Sequence, residues 1–161
     1  LMDAPPITVI ISEEAHASVI AVLTYLGFGE RKLIRIPTDA QGRMHIHLLE
    51  KVMAGVNGAC IVVAQAGHIN SGAFDRFDEI GELAQKHDAW FHIDGAFGGF
   101  YYPFTDEESR LTFENEYINS FTLDAHKMAQ APYGTGIFSQ SRAPCFGPFL
   151  ICQSYFQKMG R

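Results

Sequence analysis

Basic residues are scarce in this 161-residue chain, where 12 Lys and Arg stand against 18 Asp and Glu, leaving a net charge of −6. No Lys/Arg-rich block breaks that balance, so nothing electrostatic favours nucleic acid or an anionic membrane as a partner. Long apolar runs are also missing. Ile7–Ile11 and Ala59–Ala64 are the longest, far short of the roughly 20 residues that span a bilayer. Residues Leu1 to Pro6 hold no charged leader with a long apolar core, so a secretory signal is not expected there. Cysteine is limited to Cys60, Cys145 and Cys152, without CxxC spacing. That excludes a disulfide framework or a zinc site from the reading and leaves reduced thiols in a cytoplasmic protein as the expectation. With 47% hydrophobic and 19% charged residues, the composition is globular, and the length suits one domain or part of one.

The pattern along the chain alternates between β-branched runs and helical periodicity. Strands are expected at 7–11, 33–36, 59–64, 90–93 and 118–123, with another starting at Gly136. Helices are expected at 15–26, with Val19, Val22, Leu23 and Leu26 on one face, at about 47–54, with Leu48, Leu49 and Val52 buried, and at 77–86. Ala59–Ala64 is continuous enough to be a strand covered on both faces. Strands separated by helices imply βαβ units, hence an α/β fold with a mostly parallel sheet flanked by helices. The acidic stretch 103–116 reads as an excursion at the sheet edge, and 143–161 has no clear period.

In such sheets ligands sit beyond the carboxyl ends of the strands. Four strand ends carry polar groups: Ser12, Glu13, Glu14 and His16; then Gln65, His68, Asn70 and Ser71; then Asp94; then Asp124, His126 and Lys127. Taken singly, each has a plain explanation. His16 suits a helix start, Asp94 a turn or an N-cap, and Lys127 a solvated surface. The His45-x-His47 pair lies beside a helix start with no acid close in sequence, which argues against a metal role. Together the four ends describe a crevice. A lysine at a strand end among glycines suits imine formation with an aldehyde cofactor, provided the amine is neutral. Pyridoxal phosphate supplies such an aldehyde and needs an acid facing its ring nitrogen. Asp94 suits that role, and Ala96 would let a flat ring approach. His16 could stack on the other face, while His126 and Ser120 could reach a phosphate.

The segment HIDGAFG (92–98), followed by SFTLDAHK (120–127), resembles the group II pyridoxal-phosphate-dependent amino acid decarboxylases, the family of the aromatic amino acid, glutamate, histidine and tyrosine decarboxylases. SEEAHASV (12–19) is similar to the family's segment bearing a ring-stacking histidine, and VVAQAGHINSGAFD (62–75) to its G-T-T-x-x-G-x-x-D stretch. The resemblance covers about residues 7–142. It implies the pyridoxal-phosphate fold type I (aspartate aminotransferase-like) large domain and decarboxylation of an L-amino acid to an amine and CO2. Lys127 would carry pyridoxal 5'-phosphate as an internal aldimine, and Asp94 would pair with the pyridine nitrogen. Ala96 and His16 would flank the ring, with His16 also near the substrate. His126, Asp124 and Ser120 would lie toward the phosphate end or order the loop before the lysine.

Two departures stand out: His68, Ile69 and Asn70 replace the family's threonines after Gly67, and Met128 to Tyr133 replace its usual Trp-Leu after the lysine. The second suggests a subfamily apart from the best-known animal decarboxylases. The resemblance also implies that 1–161 is a partial large domain, lacking the N-terminal phosphate-binding segment and the C-terminal small domain, and that the full-length form is a homodimer. On that reading the chain alone is an incomplete active site. Two other readings stay open on the residues: another fold type I enzyme (an aminotransferase, carbon–sulfur lyase or aldolase), or a non-catalytic fragment. The substrate side chain is not specified.

Overall fold

Short β-branched runs bracketed by amphipathic helices leave the chain one economical solution, a sheet buried on both faces. The computed structural model describes residues 6–29, 33–100 and 116–140. Most of the acidic stretch (103–115), the 143–161 tail, Cys145 and Cys152 lie outside the described residues.

Six strands form one sheet: β1 (Ile7–Ser12), β2 (Leu33–Ile36), β3 (Ala59–Gln65), β4 (Trp90–Asp94), β5 (Ser120–Asp124) and β6 (Gly136–Gln140). Their spatial order is β2-β1-β3-β4-β5-β6. The first five are parallel and β6 runs antiparallel to β5. The expected mostly parallel α/β sheet is thus the observed one. The helices are α1 (Ala17–Tyr25), α2 (Ile46–Met53), α3 (Phe77–Lys86) and a single turn, α4 (Ala125–Met128).

Alternation along β1 divides the core. Ile10 faces a large cluster with Val62, Ala64, Phe91 and Ile93, closed by Leu49 and Met53 of α2 and by Phe77, Ile80 and Leu83 of α3. Val9 and Ile11 face the opposite side with Leu33 and Val63, where Val19, Ile20 and Leu23 of α1 pack. Helices therefore cover both faces. In α3 the apolar residues recur at helical spacing, with Asp78 and Glu79 in the first turn and Lys86 in the last, each matching the sign of the helix dipole.

Two helix faces differ from expectation. On α1, Val22 and Leu26 are exposed (53% and 69%) and Ile20 packs in their place. On α2, Leu49 and Met53 are the fully buried pair, while Leu48 and Val52 are only partly covered. The helix α1 ends as its sequence suggests. Gly27 takes φ 87°, its N–H bonds to Thr24 O, and Phe28 N–H bonds to Leu23 O, which together make a Schellman closure.

Asp75 ties the edge of this core together. Its buried carboxylate accepts the Met44 N–H and the Gln65 N–H, each at 2.8 Å. Burial pushes its carboxyl above the ordinary range, against the pull of those two donors. Asp75→Ala leaves both N–H groups without an acceptor, and urea denaturation should show a loss of roughly 2–4 kcal/mol. An unchanged midpoint and slope would remove Asp75 from this structural role.

Candidate active site

The parallel register sets four strand ends side by side. Gln65 pairs with Asp94 across β3 and β4, and Asp94 with Thr122 across β4 and β5. Trp90, His92 and Asp94 alternate with Phe91 and Ile93, so Asp94 points to the α1 side, away from the larger cluster.

A cavity of about 180 Å³ opens at this edge, lined by His16, Ser18, Gln65, Ala66, Gly67, Ile69, Asp94, Ala96, Phe97 and Lys127. The structure thus brings together four residues expected from sequence: His16, Asp94, Ala96 and Lys127. They come from loops after β1, β4 and β5, up to 111 positions apart, as the difference between 127 and 16 shows.

Each is held by local chemistry. His16 is the N-cap of α1, and its Nδ1 accepts the Ser18 N–H at 3.3 Å. An amide N–H can only donate, so Nδ1 is the acceptor nitrogen in this cap, and the same residue lines the cavity. The plain helix-start explanation and the ring-stacking one are therefore compatible. Asp94 Oδ1 accepts the Ala96 N–H at 3.0 Å, which turns the chain sharply and presents the Ala96 methyl beside the carboxylate. Lys127 lies in the single turn α4, its Nζ 2.8 Å from Asp124 Oδ2 and 5.9 Å from the Phe97 ring centroid. About a third of its side chain is exposed (32%), so the amine is reachable from the cavity.

The glycines here serve the protein's own backbone. A Cβ on Gly67 would come within 2.9 Å of Gly98, and one on Gly98 within 2.6 Å of Ala66 O. Gly98 N–H bonds to that same carbonyl at 2.9 Å. The β3 and β4 loops can close on each other only because neither residue has a side chain.

The other three expected residues lie off the cavity lining. Asp124 is engaged with Lys127. His126 has Nδ1 3.3 Å from Thr135 O, with its ring against Tyr133 at 5.0 Å between centroids. Ser120 is buried at the amino end of β5, where its Oγ accepts the Trp90 Nε1–H at 2.8 Å and meets His92 Nδ1 at 2.7 Å. His45 and His47 lie with ring centroids 5.4 Å apart, and no group of three potential metal ligands occurs among the described residues.

Sequence reasoning gave two residues of the site no role. Gln65 lines the cavity, and its buried Oε1 has no hydrogen-bond partner. A buried unpaired acceptor is costly unless a ligand donor meets it. His92 was read only as part of a strand. It sits beneath Asp94 between Ser120 and Thr122, with Nε2 3.3 Å from Thr122 Oγ1. Alternation along β4 could have placed it on the same face as Asp94.

The donor set suits a flat, aldehyde-bearing heterocycle with a basic ring nitrogen. An amine is available for the aldehyde, a carboxylate for the nitrogen, an imidazole and a methyl for the ring, and an unpaired acceptor for a hydroxyl.

Burial pushes His92 below its ordinary value of about 6.5, while Asp94 pulls it partly back. The unfolded chain therefore takes up this proton first, and the stability His92 contributes above that pH is lost as pH falls below it. Denaturant titrations from pH 7 to 5 should show a falling stability, at most ~1.4 kcal/mol per pH unit from this group. His92→Gln should flatten that component, and an unaltered slope in the variant would refute the assignment.

Comparison with known proteins points to one family. Residues 4–157 match the sequence model of the pyridoxal-dependent decarboxylase conserved domain. The chain is 37% identical over 151 residues to the L-2,4-diaminobutyrate decarboxylase of Rhizobium meliloti, covering 91% of this chain and 30% of that protein. It is 34% identical over 139 residues to the tryptophan decarboxylase of Clostridium sporogenes, covering 82% and 33%. Among solved structures, mouse CSAD in its apo form superposes with a TM-score of 0.75 at 27% identity, over 89% of this chain and 31% of that one. The glutamate decarboxylase domain of the Vibrio parahaemolyticus diaminobutyrate-pyruvate transaminase and L-2,4-diaminobutyrate decarboxylase gives 0.69 at 31% identity, over 78% and 28%. The chain spans about a third of the length of these curated relatives.

Proposed function

We propose a function from one premise: the chain belongs to the pyridoxal-dependent decarboxylase family. Within that family, the protein containing it is a carboxy-lyase that converts an L-amino acid to an amine and CO2 with pyridoxal 5'-phosphate. The observation that carries this reading is the convergence of Lys127, Asp94, Ala96 and His16 on one cavity.

Lys127 would be the covalent anchor, its Nζ the amine available to the cofactor aldehyde. For that its amine would leave Asp124, which would hold the lysine at the cavity while a substrate amine takes its place on the aldehyde carbon. Asp94 would face the ring nitrogen and, as a carboxylate, favour a proton there. His16 would cover one face of the ring and Ala96 the other. When bound, the cofactor supplies an electron sink for the pair released from the Cα–carboxylate bond. Gln65 Oε1 accepts a hydrogen bond from a hydroxyl of the cofactor or the substrate. Phe97 and Ile69 give the cavity an apolar wall, though both are partly open to solvent.

Asp124 and His126 order the turn toward the phosphate end, and Ser120 acts one layer back by holding His92 beneath Asp94. We assign 1–161 to the cofactor-binding large domain of a longer, cytoplasmic homodimer. The outward-facing Val22, Tyr25 and Leu26 of α1 form an apolar patch suited to burial against further protein. The substrate is an amino acid, and the relatives named above differ too much in theirs to choose among side chains.

Borohydride trapping with pyridoxal phosphate, followed by peptide mapping, should place the phosphopyridoxyl group on Lys127, and Lys127→Ala should abolish it. Labelling of a different lysine, or undiminished labelling in the variant, would overturn the anchor assignment. In the protein that contains this chain, release of CO2 rather than transfer of the amino group separates decarboxylation from the aminotransferase reading.

A further inference from the structure

His68 stands where the family carries threonine, and its surroundings give it a specific task. The side chain is buried, with 6% exposed, and its Nε2 lies 2.7 Å from Glu14 Oε2. Its Nδ1 accepts two backbone N–H groups, those of Asn70 and Ser71, both at a long 3.4 Å. Since those amides only donate, the ring proton is on Nε2, aimed at the Glu14 carboxylate. The ring also packs on Gly42, where a Cβ would come within 2.8 Å of it.

The contact joins three loops. Glu14 belongs to the segment after β1, and its Oε1 and Glu13 Oε1 both lie 3.2 Å from the Thr38 hydroxyl after β2. Ser71, after β3, donates its hydroxyl to Gln41 O at 2.6 Å. Both ends of the His68–Glu14 pair adjoin the cavity: Glu14 is two residues before His16, and His68 immediately precedes Ile69.

We propose that His68 is a positioning residue that, through its Nε2–H bond to Glu14, fixes the 13–16 segment so that the His16 ring is held against the cofactor site. This rests on the reading of the cavity given above, but the clamp itself has a readout that needs no cofactor. A buried donor to a half-exposed carboxylate is a charge-assisted bond that orders both loops at once. His68→Phe keeps an aromatic ring without the donor. His68→Gln keeps a donor toward Glu14. Glu14→Gln removes the carboxylate charge at a site 45% exposed, where the fold is little at risk.

Hydrogen exchange read by mass spectrometry should show amides 13–18 exchanging roughly tenfold faster in His68→Phe while α3 is unchanged. Glu14→Gln should move the same amides in the same direction, and His68→Gln should restore most of the protection. Equal acceleration in α3, or no change at 13–18, would overturn the clamp. In cofactor titrations, His68→Phe should weaken pyridoxal phosphate binding roughly fivefold in the presence of His16 and have no further effect in a His16→Ala background. A full effect in that background would show that His68 acts by general structure. Failure of the unaltered chain to bind the cofactor would refute the functional reading instead, and the exchange measurement would still decide the clamp.

Discussion

Gln65 pairs with Asp94, and Asp94 with Thr122, across three parallel strands. This lateral alignment is the constraint on which the rest of the site depends. A slip of one residue in β4 would turn Asp94 toward α3 and put Ile93 or Gly95 in its place. The register is held by the core. Phe91 and Ile93 are fully buried on the α3 side, and no shift keeps them there while leaving Asp94 where it is. Hydrophobic burial thus fixes the direction of a carboxylate that takes no part in it. The same holds next door, where Val63 and Gln65 share one face of β3 and Val62 and Ala64 occupy the other.

Around that frame, short polar contacts do the fine placement. His16 is both helix cap and cavity wall, so the requirement to satisfy the first turn of α1 also restrains its ring. Asp94 turns its own chain through the Ala96 N–H and also lines the cavity. Beneath it lies an imidazole that burial keeps from charging readily. A cationic group in that position would compete for Asp94, whereas a neutral one leaves the carboxylate charge for whatever faces it above. Lys127 and Asp124 in turn keep the amine in place on a single helical turn.

Much of this was legible in the sequence. The helix at Phe77–Lys86 and the strand at Leu33–Ile36 fall where periodicity puts them, because their burial is one-sided or complete. Strand ends were less legible. The fifth strand reads as starting at Ile118, but it starts at Ser120, because Asn119 Oδ1 takes the Phe91 N–H at 2.7 Å in place of a backbone carbonyl. Side-chain mimicry of the backbone leaves no periodic trace. Of the seven residues to which the family motifs pointed, the cavity gathers Lys127, Asp94, Ala96 and His16, while Ser120, Asp124 and His126 lie off its lining. Gln65 and His68 were legible as polar groups at a strand end, but their tasks, and the place of His92 in the site, were not. Their importance comes from partners 28 to 54 positions away or from an absent one, and pairings of that range are set by the fold.

The central claim is that the carboxyl edge of this sheet holds the cofactor between His16 and Ala96, with its ring nitrogen on Asp94. A crystal structure of the chain grown with pyridoxal phosphate tests this most directly. The account predicts density for a flat ring in the cavity at the carboxyl ends of β1, β3, β4 and β5, with its nitrogen toward Asp94 and its aldehyde carbon bonded to Lys127. A ring bound at the opposite edge, in the roughly 640 Å³ cavity beside Cys60, His87 and Trp90, or one bound with its nitrogen away from Asp94, would contradict it.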